Sequence, residues 1–65
     1  MKVREVKDRV ALIAGMAEDD EAAHSAEDDL RADVLRAIAN GARNGAALAR
    51  EALKTEDLDF ARWCA

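Results

Sequence analysis

Seventeen side chains set the problem this chain has to solve. They are the only apolar groups larger than alanine among 65 residues; the other sixteen hydrophobic positions are alanines. A chain this short buries only about 60% of the surface its unfolded form exposes. Folds of this size are usually completed by disulfides, a metal or a partner subunit. Cys64 is the sole cysteine, so no internal disulfide can form. A symmetric partner is therefore the expected completion, and a two-fold dimer its commonest form. A metal is the second choice.

Several classes drop out early. The length suits one domain. No run of about 18 apolar residues is present, so no membrane span is expected. The segment MKVREVKDRV alternates charge with valine and has no continuous apolar run of the kind a signal peptide needs. The expected location is therefore the cytoplasm. A formal charge of -4 argues against direct binding to nucleic acid. The regular spacing of the apolar residues argues against disorder.

The chain has no proline, and its three glycines stand at positions 15, 41 and 45. With Ala, Leu, Glu, Arg and Asp dominating, this predicts an all-α chain broken near those glycines. Val3, Val6, Val10, Ile13 and Ala17 recur at spacings of three and four, which predicts a first helix from Lys2 to Met16. Leu12 and Met16 fall about 120° away on the same helix and so mark a second apolar face, a candidate subunit contact. A second helix is expected over Asp20 to Ala39. Asp19 or Asp20 would cap it, with Ser25 as an alternative start, and Gly41 in a left-handed conformation would end it. Its inward stripe is Ala23, Ala26, Leu30, Val34, Ala37 and Ile38. A third helix is expected over Gly45 to Lys54, capped by Asn44, with Leu48, Ala49, Ala52 and Leu53 sharing its buried side. Thr55 to Asp57 interrupts the pattern. The tail, residues 57–65, carries Phe60 and Trp63 and is read as a short, packed helical turn. The whole is a small three-helix assembly with an aromatic C-terminal turn, completed as a homodimer.

Charge is segregated along this plan. Residues 18–33 hold eight acids and one arginine, residues 34–54 four bases and one acid. Such a distribution favours antiparallel or head-to-tail pairing of two copies. It also offers a basic macromolecule an acidic face at Asp19, Asp20, Asp28, Asp29 and Asp33. The plainer reading of those acids is a solvated helix face.

The string DDEAAHSAEDDLRADVLRAIANG, followed by AREALKTEDLDFARWCA, resembles a set of short helical proteins of actinobacterial phages and bacteria. The likeness spans residues 19–65. Its most specific parts are Asp20-Glu21-Ala22-Ala23-His24 with Glu27-Asp28, and Asp59-Phe60-Ala61-Arg62-Trp63. The resemblance implies a phage or bacterial accessory protein acting in the host cytoplasm. It implies no catalytic residue.

Among groups that can do chemistry, Glu21, His24, Glu27 and Asp28 stand closest together, at helical spacings of three and four. Glu-x-x-His is the pairing that di-metal helical bundles place on two of their helices. This makes Glu21, His24 and Glu27 a candidate metal or small-ligand set, with Glu5 and Asp8 the only nearby supplements. The favoured reading is a satisfied polar seam. Glu27 lies about 60° from Leu30, partly enclosed, with His24 beside it and Arg31 four residues on to pair with it. Nothing is placed for nucleophilic catalysis: Ser25 points away from His24. The segment Gly41-Ala42-Arg43-Asn44-Gly45 reads as a helix–helix turn and not as a phosphate loop. Arg31, Arg36, Arg43 and Arg50 could line a nucleotide pocket between subunits. Cys64 reads as a small buried hydrophobe. Phe60 and Trp63 join Leu12 and Met16 as interface candidates, with closure of the chain's own core as the equal alternative for Trp63. The reading that results is a non-enzymatic interaction protein. The alternative is a homo-oligomeric metal- or small-ligand-binding protein with a Glu21/His24/Glu27 site, nucleotide sequestration being one form of it.

Overall fold

A computed structural model describes residues 1–62. Trp63 and Cys64 lie outside the described residues, and the expectations placed on them go no further. The chain folds as three helices, α1 over Val3–Ala14, α2 over Asp20–Ala39 and α3 over Gly45–Leu53. A single 3-10 turn over Lys54–Asp57 follows directly on α3. No strand occurs among the described residues. None of the helices is long and apolar enough to cross a membrane.

Local chemistry explains the helix ends. The Lys2 backbone N–H donates to the Glu5 carboxylate at 3.2 Å and starts α1. Asp19 caps α2, its Oδ1 accepting from the Ala22 N–H at 3.1 Å, which leaves Ser25 inside the helix. At the other end Gly41 stands at φ +91°. The Gly41 N–H donates to the Ile38 carbonyl and the Ala42 N–H to the Ala37 carbonyl, both at 3.0 Å. These two bonds form a Schellman motif, which needs a left-handed residue at that position and so selects glycine. The expected Asn44 cap is not made. Its side chain donates instead to the Met1 carbonyl at 3.1 Å and ties the loop before α3 to the start of the chain.

Val6, Ile13, Ala23, Leu30, Val34, Leu48, Ala52 and Phe60 form the core, with Val3, Val10, Ala26, Ala37, Ala42 and Leu58 packed around it. The α1 stripe therefore faces inward as the spacing predicts. Three expectations change. Ile38 and Leu53 are 38% and 52% exposed, because each sits at the edge of its helix stripe and not at its centre. Thr55 to Asp57 does interrupt the α-helical pattern, as a 3-10 turn, but Thr55 is fully buried in it, its Oγ1 donating to the Ala52 carbonyl at 3.0 Å. Over residues 58–62 the tail is not a helical turn: Leu58 is extended, at φ -79° and ψ 136°, the Phe60 N–H donates back to the Leu58 carbonyl at 3.2 Å, and Phe60 enters the core. Phe60 is thus a core residue and not an interface anchor.

Candidate functional site

Among the described residues the charged group of the interior is Glu27, 1% exposed on the inward side of α2 and accompanied by the buried Thr55. A carboxylate there has to be paired, since an isolated buried charge costs far more than a fold of this size can offset. Arg62 meets it in a two-pronged geometry, Nε donating to Oε1 at 2.8 Å and Nη2 to Oε2 at 2.9 Å. The same guanidinium donates from Nη2 to the Thr55 carbonyl at 2.7 Å and from Nη1 to the Phe60 carbonyl at 3.2 Å. Its plane also lies 3.9 Å over the centre of the Phe60 ring. Arg31 takes the outer place, Nη2 standing 3.8 Å from Glu27 and donating to Thr55 Oγ1 at 3.3 Å. Its buried Nε has no hydrogen-bond partner among the described residues. The Arg62 hydrogen bonds hold the Glu27 carboxyl below its ordinary pKa and outweigh the opposing effect of burial. Glu27 in turn raises that of Arg62.

This cluster is the polar seam expected around Glu27, with Arg31 kept and Arg62 added, while His24 Nε2 lies 3.5 Å from Asp28 Oδ1. Arg62 is the member the sequence reading did not place. An i+4 neighbour such as Arg31 runs along the helix surface, whereas the Glu27 side chain points away from that surface and needs a donor from elsewhere in the chain. The available signal was an enclosed acid together with an arginine beside the aromatic of the tail. Glu21, His24 and Glu27 do not converge, because both Glu27 oxygens are held by Arg62. No group of three His, Cys, Asp or Glu side chains among the described residues is disposed to hold a metal ion.

The acidic face is also redistributed. Asp19 is spent as the α2 cap, and Asp20 accepts from the Ala61 N–H at 3.1 Å, pinning the tail to the start of α2. Asp33 bridges Arg9 at 2.8 Å and Arg36 at 3.0 Å, and the Arg9 hydrogen bond lowers its pKa. Asp28 and Asp29 remain exposed, flanked by exposed Glu18 and Glu21.

Two apolar grooves flank α2. One, of about 180 Å³, is lined by Arg9, Leu12, Ile13 and Met16 of α1 and the turn after it, with Ala26 and Asp29 of α2. Leu12 is 64% exposed there and Met16 36%. The other, of about 230 Å³, lies between Arg31, Val34, Leu35 and Ile38 of α2 and Ala49, Ala52 and Leu53 of α3. Leu35 and Ile38 on one wall and Leu53 on the other are all exposed. The grooves hold five of the six large apolar residues exposed among those described. Clustering of that kind marks interaction surfaces, whereas exposed leucines scattered singly need no explanation. Compared with models of known protein families, with curated proteins and with solved structures, the chain matches none of them.

Proposed function

We propose that this chain is a non-enzymatic interaction protein, a phage or bacterial accessory factor that works as a homodimer and captures a basic macromolecule in the host cytoplasm. The observation that carries the reading is the α1–α2 groove. It joins the exposed Leu12 and Met16 to the carboxylate of Asp29. Glu18, Glu21 and Asp28 are exposed around the first half of α2 and add to the negative charge of that end of the molecule. Apolar contacts in the groove supply affinity, and the acids select a partner that brings Lys or Arg to the rim. Asp19, Asp20 and Asp33 shape this face through their internal bonds and contribute less charge to it.

The test is capture from a bacterial lysate by the wild-type chain and by Asp28→Lys/Asp29→Lys. Neither acid caps a helix, so the circular dichroism spectrum stays unchanged. Loss of the captured partner, with Leu12→Ser reducing it as well, supports the reading. Undiminished capture by the doubly reversed chain overturns it.

A further inference from the structure

We propose that residues 58–62 act as a strap that opens and closes as a unit against the three-helix body, with the Glu27–Arg62 pair as its latch. The inference does not depend on the partner or the dimer proposed above.

The way this segment is held sets it apart from the rest of the fold. Each helix carries its own ladder of backbone hydrogen bonds. Among the described residues no backbone–backbone bond joins the strap to a helix. The Leu58 N–H donates to the Thr55 carbonyl in the 3-10 turn, and the Phe60 N–H donates within the strap to Leu58. What fastens the strap to the helices is side-chain chemistry. Phe60 lies in the core and Leu58 packs against it. The Asp20 carboxylate accepts from the Ala61 N–H, and the Glu27 carboxylate accepts twice from Arg62. A segment without backbone bonds to its surroundings opens at a lower free energy than the helices it covers.

Geometry says which contact is the latch. Asp20 and Glu27 are seven residues apart on α2, so they stand about 10 Å along and about 20° round from one another, on one flank of the helix. The Asp20 bond is exposed, and water can replace it. The Glu27 bonds are different. That carboxylate is buried, and both of its oxygens are taken by one guanidinium. Opening has to break a charge-assisted, two-pronged contact there, which sets the opening equilibrium. Phe60 and Arg62 leave together, because the guanidinium lies 3.9 Å over the Phe60 ring and its Nη1 donates to the Phe60 carbonyl. Phenylalanine and arginine are both enriched where proteins meet. The open form therefore offers a partner groups that the closed form hides. Asp29 of the α1–α2 groove is about 160° round α2 from Glu27, so the strap moves on the far side of the helix from that groove.

Native-state hydrogen exchange of the full chain tests this, at neutral pH and in urea below the unfolding transition. The Ala61 amide should be protected in the wild type, and its exchange should hardly respond to urea, since opening the strap exposes little surface. The Leu30 and Val34 amides of α2 should exchange more slowly and with the full urea dependence of unfolding. Glu27→Gln should speed Ala61 exchange about tenfold or more, the usual worth of a hydrogen bond between charged groups. Arg62→Lys keeps the charge but loses the two-pronged fit, and should speed it as well while circular dichroism stays unchanged. An Ala61 amide that is unprotected, or that shares the urea slope of Leu30 and Val34, overturns the strap. Ala61 exchange unmoved by either variant overturns the latch. Partner capture and oligomeric state are measured separately, so their failure is distinct from both results.

Discussion

The Glu27–Arg62 pair shows how much one side chain can ask of a small fold. Glu27 sits where an apolar residue would pack, and Arg62 satisfies it while tethering the tail through the Thr55 and Phe60 carbonyls. Removing one partner of a buried pair leaves an uncompensated charge. Arg62→Ala should therefore lower stability by about 3 kcal/mol, the smaller end of the usual range because Arg31 remains nearby. That is a large share of the roughly 3–10 kcal/mol expected for a fold of this length. Replacing both, as Glu27→Leu/Arg62→Met, should cost far less or nothing, since the desolvation of two charges disappears with them. Urea denaturation of the single and double variants separates the two outcomes. The same pair sets a pH dependence. The Glu27 carboxyl is held below its ordinary value of 4.5. Its stabilisation is therefore complete above that value and is lost as pH falls through the lower folded one. Glu27→Gln should flatten the fall in melting temperature across that acid window. An equally steep fall in the variant would assign it to other carboxylates, such as Asp33 and Glu51, which are also lowered by their partners Arg9 and Lys54.

At the level of the elements, glycine position decides the sign of a substitution. Gly41 holds φ +91° in the turn that ends α2. Gly41→Ala should destabilise by about 1 kcal/mol or more, because alanine is strained in the left-handed region. Gly15 caps α1 at φ -70°, in the right-handed region, and a Cβ there meets only backbone carbonyls at ordinary contact distance, Leu12 at 3.4 Å and Ala11 at 3.8 Å. Gly15→Ala should stabilise by about 0.5 kcal/mol through the unfolded chain. Thermal melts of the two variants, shifting in opposite directions, check both. Helix limits were legible to within two residues at each end, since caps and stripes are local signals. The Asp19 cap and the Gly41 terminator were read correctly. The tail was not, because spacings of two and three around Phe60 fit a strand or a helix equally. The outcome turned on long-range bonds, Ala61 to Asp20 and Arg62 to Glu27.

For the whole molecule, the scarcity of bulky residues has a measurable result. Val6, Ile13, Leu30, Val34, Leu48 and Phe60 are buried, whereas Met1, Leu12, Met16, Leu35, Ile38 and Leu53 are exposed. Among the described residues, as many large apolar side chains face outward as fill the core. With Val3, Val10 and Leu58 packed against the core, six of the fifteen bulky apolar side chains described stay exposed, and the proposed association would cover some of them. If it does, the melting temperature should rise with protein concentration, as coupled folding and association require. Calorimetry across a hundredfold range of concentration, normalised to the monomer, would show it.

The order of the amino acids settled on its own the helical class, the number of helices, the glycine that ends α2 and the enclosure of Glu27. Each depends on neighbours within about four positions, where periodicity and side-chain chemistry act directly. The assembled chain alone decided which residue answers Glu27, that Phe60 belongs to the core, and that Leu35, Ile38 and Leu53 share one groove. Those outcomes depend on how α1, α2, α3 and the tail lie against one another, and no short-range spacing encodes the distance between residues 27 and 62.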